Sequence, residues 1–175
     1  VALGYTRLTF YDDFSSLSTI DDANTKAPGF NWYRSAVWPF GAFNVNTTYP
    51  NTNYSIVNGV LRMNTTQTGI IIGLATACSG AGPNQYNGTA FTGGAYFEAS
   101  MAYDPTLSTS GNTSWPAFWS FGLSQGIDST ATKYIEPDFF EAFPGTTGTT
   151  TSLMGCHDWG EPAHNPPDSG AVRRT

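Results

Sequence analysis

No stretch of this chain keeps an apolar period of 3.6 residues over three turns. A packed helix needs such a stripe to face a core, so helices cannot organise the fold. What the chain offers instead is a series of short apolar or alternating runs, each closed by turn residues. Segment 8–14 (LTFYDDF) alternates loosely and predicts a first strand. Segment 54–63 (YSIVNGVLRM) predicts a hairpin with Asn58-Gly59 as its turn. Segment 69–76 (GIIIGLAT) is a β-branched run suited to a buried strand. Segment 94–103 (GAYFEASMAY) alternates, with Tyr96, Glu98 and Ser100 on one side and Phe97, Ala99 and Met101 on the other. Short strands are also expected at 115–122 (WPAFWSFG), 134–143 (YIEPDFFEAF) and 151–156 (TSLMGC). Segments 15–53 and 78–92 read as loop-rich, and the tail 157–175 as loop. The expected architecture is all-β, an antiparallel β-sandwich.

Composition narrows the function classes. The 175 residues suit one domain, 1–175. Aromatics reach 15%, which a disordered chain would not carry. Seven basic residues face 13 acidic ones, net charge −6, with no basic patch, so nucleic-acid binding is not expected. No apolar run approaches the ~18 residues of a membrane span. Five Asn-X-Ser/Thr sequons, at Asn46, Asn53, Asn64, Asn87 and Asn112, predict a secreted, N-glycosylated eukaryotic protein whose signal peptide has been removed. In an oxidising compartment Cys78 and Cys156 would form one disulfide. Two buried free thiols, or pairing with another chain, are the alternatives. His157 and His164 beside Cys156 do not make a zinc spacing, so no metal site is expected.

The most chemical segment is 134–143. It places Glu136, Asp138 and Glu141 within six residues, among Tyr134, Phe139, Phe140 and Phe143. In a strand, positions 136 and 138 share a face and 141 faces away. One β-bulge at Phe139-Phe140 would return Glu141 to the side of the other two. Three carboxyls on one face repel, so at least one would hold its proton near neutral pH. Retaining glycoside hydrolysis needs that division: one carboxylate attacks the anomeric carbon, and one carboxyl protonates the leaving oxygen from ~5–5.5 Å away. An acidic solvated edge and a calcium site are the other readings of such a triplet. The surrounding aromatics speak against the first and the lack of a flexible oxygen-rich loop against the second.

Three segments in this order carry a family likeness. GGAYFEASMAYDP (93–105), WPAFWSFG (115–122) and IEPDFFE (135–141) together resemble glycoside hydrolase family 16, the laminarinase and β-glucanase group. The DDF near the start and NGVLRM (58–63) add a weaker likeness. The resemblance implies a concanavalin A-like sandwich (jelly roll), of which this chain would hold the N-terminal part, with a second chain from the same precursor as a possible partner. It implies a secreted retaining endo-β-glucanase acting on β-1,3 or β-1,3/1,4 glucan. Glu136 would be nucleophile, Asp138 its hydrogen-bonding assistant, and Glu141 the general acid and base. Trp119 would lie near the scissile sugar, with Trp115 closer to packing. Trp38 would stand beside the negative subsites. Trp32 and Trp159 are further candidates for the cleft floor. His157, one connection past the carboxylate strand, reads from its position as a hydrogen-bond partner for the substrate or as a surface residue. No cofactor is required, although many relatives hold a structural calcium ion. Pro137 departs from the family, which has Ile, Val or Leu there, and removes one ladder donor. A noncatalytic glucan-binding protein or lectin on the same fold, and a transglycosylase using the same carboxylates, are the competing functions.

Overall fold

The computed structural model describes residues 4–34, 53–64, 72–80, 85–104, 116–123, 134–144, 150–159 and 172–174. Strands organise them, and the helical content is a 3-10 turn at Leu17–Thr19 with a single further helical position at Leu123. The all-β expectation holds at that level. Among the described residues, no helix is long and apolar enough to cross a membrane. The chain divides into two compact units. One comprises Val1–Glu98 with Gly126–Ser129, the other Ala99–Gln125 with Thr130–Thr175.

The first unit is built on short strands. β1 (Ile20–Asp21) pairs in parallel with β2 (Trp32–Tyr33). β3 (Tyr54–Val57) and β4 (Val60–Met63) form an antiparallel hairpin, from Tyr54↔Met63 to Val57↔Val60. Its two turn residues, Asn58 and Gly59, have φ of 53° and 73°. Two left-handed residues in a two-residue loop match the right-handed strand twist, the reason Asn-Gly predicts this hairpin. β5 (Ala77–Ser79) pairs with β6 (Tyr86–Gly88).

Tyr33 is the hub of this unit. It is 1% exposed, and its backbone exchanges two hydrogen bonds with Ala75 (2.8 and 2.9 Å). Its hydroxyl donates to the Ala27 carbonyl at 3.1 Å. Ile20, Tyr54, Ala77 and Cys78 complete the buried apolar set. Buried charge is met locally, although Arg34 Nε has no hydrogen-bond partner among the described residues. Asp21 accepts from Thr25 N and Oγ1 (both 2.9 Å) and from Lys26 N (2.7 Å), closing the 21–26 loop. Buried Arg34 donates to the Asp22 carbonyl and stands 3.7 Å from its carboxylate.

The second unit contains a four-stranded sheet in the order β10-β9-β8-β7. β7 is Ala117–Trp119, β8 Tyr134–Pro144, β9 Thr150–Trp159 and β10 Val172–Arg174. All three pairings are antiparallel. Expected strands 115–122, 134–143 and 151–156 therefore exist. The tail expected as loop instead supplies the end of β9 and all of β10.

Two expected strands do not form, and a third forms differently. Across 8–14 the carboxylates compete with any ladder: Asp12 Oδ1 accepts from Phe14 N (2.8 Å) and Asp13 Oδ1 from Ser15 N (3.0 Å), while Phe14 turns to φ 51°. Such local side-chain bonds divert the backbone from pairing. Residues 93–104 keep their alternation, as the bond from Tyr96 Oη to Glu98 Oε2 across two residues shows, but among the described residues no strand pairs with them. Tyr96 and Met101 stay about half exposed. Of the expected strand 69–76, residues 69–71 lie outside the described residues; within 72–76 Ala75 makes an isolated bridge to Tyr33, and the strand begins at Ala77.

The expected Cys78–Cys156 disulfide finds no support in the structure, where both thiols are free. Cys78 is sealed inside the first unit at 0% exposure, whereas Cys156 is exposed on β9. Burial first, then the Asp21 charge, pushes the Cys78 thiol above its ordinary pKa.

Candidate functional site

The carboxylates lie on β8, between β7 and β9. The β9 register runs Glu136↔His157, Pro137↔Cys156, Asp138↔Gly155, and resumes at Glu141↔Leu153. Between the last two pairs, Phe139 and Phe140 stand against Met154 alone, which is a β-bulge. The β7 register says the same: Phe118↔Phe140 is followed by Trp119↔Asp138, skipping Phe139. Gly155 and Leu153 are two apart and share a face, so Asp138 and Glu141 share one as well. Glu136, Asp138 and Glu141 therefore line one side of the sheet. The rings serve the other side, where Phe118 meets Phe139 at 5.2 Å and Tyr103 meets Phe140 at 5.4 Å between centroids.

Burial separates the three acids. Asp138 is 4% exposed, while Glu136 and Glu141 are half-buried. Counted along β9, Glu136 and Glu141 are four rises apart, ~13 Å between α-carbons. Their side chains must lean toward each other over Asp138 to bring the carboxyls to ~5–5.5 Å. Among the described residues, no group of three or more His, Cys, Asp or Glu is placed to hold a metal ion.

Pro137 fits because its missing donor faces one neighbour only. Its carbonyl accepts from Ser120 N at 2.8 Å, and a strand residue's N–H and C=O point the same way. The bond forgone is the return to the Ser120 carbonyl. Pairing continues on both sides, with Gly122 N donating to the Ile135 carbonyl at 2.9 Å, and the alternation of the acids survives.

Trp119 is the Cα partner of Asp138 and so belongs to the acidic face. His157 stands opposite Glu136 in the register. Trp159 ends the same strand opposite Tyr134. Trp32 belongs to the first unit's packing: its Nε1 donates to Asp12 Oδ2 (3.0 Å), and its ring meets Phe10 at 5.2 Å and Phe14 at 5.6 Å. Trp38, Trp115, His164, Asn46 and Asn112 lie outside the described residues. Of the other sequons, Asn64 is exposed. Asn53 is half-buried, as is Asn87, whose Nδ2 donates to the Lys26 carbonyl at 2.7 Å.

Sequence reasoning passed over Phe121. The bonds at Ser120 and Gly122 extend β7's pairing past its formal end, which sets Phe121 across from Glu136. Its ring lies 5.5 Å from Trp119 at an interplanar angle of 33°. The signal was available: Trp119 and Phe121 are two apart in the run WPAFWSFG, the period of one strand face. In comparisons, no family model, no curated protein and no solved structure matches this chain.

Proposed function

We propose that the chain is a secreted retaining endo-β-glucanase of the family 16 type, built on a concanavalin A-like sandwich and acting on β-1,3 or β-1,3/1,4 glucan. The observation that carries this reading is the bulge at Phe139-Phe140, which gathers all three carboxylates on one sheet face. Without it Glu141 would face the aromatic side and no acid–nucleophile pair would exist.

In this reading Glu136 attacks the anomeric carbon while Glu141 gives its proton to the departing glycosidic oxygen. The glycosyl–Glu136 ester is then opened by water, whose proton returns to Glu141. Asp138, buried between them, hydrogen-bonds Glu136 and holds its orientation. The sequons mark the chain as an N-glycoprotein, and Trp119 supports the sugar nearest the reacting bond. Sugar in place of water as the acceptor would make the same site a transglycosylase.

Glu136→Gln and Glu141→Gln are each expected to abolish reducing-end release from laminarin and lichenan, with thermal unfolding and glucan binding kept. Full activity in either variant sinks the mechanism. A wild-type chain that binds glucan without turnover would make it a binding protein instead. Pro137, which gives up one ladder bond beside the nucleophile position, is the feature that favours that second reading.

A further inference from the structure

Beside the carboxylates, the acidic face carries an aromatic pair. Trp119 stands across from Asp138, and Phe121, one strand repeat further, stands across from Glu136. The rings are 5.5 Å apart and inclined by only 33°, nearer to a shared plane direction than to an edge-on pair. Both residues are half-buried, so each keeps part of its surface in contact with solvent.

We infer that Phe121 is a substrate-positioning residue that extends Trp119 into a two-ring stacking platform for neutral β-linked glucose units. The inference rests on the glucan reading of the carboxylate site and adds to it the residue that orients the sugar beside Glu136. β-D-glucose carries its ring hydroxyls equatorially, so both faces of the ring present axial C–H groups. Such a face loses little by leaving water and gains by lying on an aromatic surface. An uncharged ring surface offers no partner to the carboxylate of a uronic acid, so a charged sugar gains no advantage there over a neutral one. A sugar laid on Phe121 would sit over the strand position opposite Glu136, where the nucleophile needs its anomeric carbon held.

The test uses the whole chain with three probes: laminarin oligosaccharides, lichenan oligosaccharides and oligogalacturonate. Binding is read by calorimetry and turnover by reducing-end release. Phe121→Leu keeps the apolar volume and removes the ring face, so it carries the comparison if Phe121→Ala fails to fold. Phe121→Leu is expected to weaken glucan binding about three- to tenfold, the loss of one aromatic stacking contact. The loss should fall on KM more than on kcat, and Phe121→Tyr should restore it. Wild-type hydrolysis with unchanged KM in a folded Phe121→Leu variant overturns the platform alone. Ring-dependent glucan binding without any turnover leaves the platform standing and overturns the hydrolase. Preference for oligogalacturonate, or binding of none of the probes, overturns both.

Discussion

Gly88 offers the sharpest test of the first unit's packing. It sits at φ +101°, at the end of β6, with the hub residue Tyr33 beside it. A Cβ placed there would fall on the Thr76 carbonyl oxygen, 2.6 Å from Tyr33 Cε2 and 3.0 Å from Ala77 Cα. The Thr76 carbonyl cannot give way freely, because it accepts from Thr89 N at 2.7 Å. Gly29 provides the control: its φ is +108°, with nothing within 4 Å of the same added atom. Alanine at either site incurs the left-handed backbone cost of ~1–2 kcal/mol. Both also gain the same reduction in unfolded-chain freedom, which cancels in the difference. Only Gly88→Ala adds overpacking, ~1–3 kcal/mol. Urea unfolding followed by tryptophan fluorescence should therefore place Gly88→Ala ~1–3 kcal/mol below Gly29→Ala. At roughly 2–4 °C of Tm per kcal/mol, heating should separate them too. Equal stabilities, within about 0.5 kcal/mol, would refute the close approach of β6 to Tyr33 and with it the packing around the hub.

Two further predictions concern titration. Burial works to raise the Asp12 pKa, but hydrogen bonds from Asn31, Thr19, the Phe14 amide and Trp32 outweigh it and hold the carboxyl below its ordinary 3.8. A depressed acid contributes stability that is present above pH 3.8 and lost as pH falls through the lower folded value. Unfolding free energy measured from pH 5 downward should therefore fall less steeply in Asp12→Asn than in the wild type; identical slopes would refute the role given to Asp12. For the thiols, a chromogenic disulfide reagent should find Cys156 at once and Cys78 only on unfolding, since Cys78 is buried and its thiol pushed up. No reactive thiol before reduction would reinstate the disulfide.

Local chemistry wrote some of this molecule directly into the sequence. Asn58-Gly59 specifies its hairpin because two consecutive residues must take positive φ, and few other pairs do so cheaply. The bulge in β8 was also legible, since only one extra residue lets the spacing of Glu136, Asp138 and Glu141 share a face. Alternation, however, names a face and never a partner. Residues 94–103 alternate as well as any run in the chain and pair with no strand among the described residues, while 150–159 pairs along nearly its whole length with β8. Asp12 and Asp13 converted an alternating run into turns through bonds that alternation does not encode. The burial of Asp138 between two more accessible glutamates, the burial of Cys78, and the place of Phe121 opposite Glu136 came only from tertiary structure. Each depends on which distant backbone completes the hydrogen-bond ladder, and that choice is made by the whole chain competing for partners rather than by any segment alone.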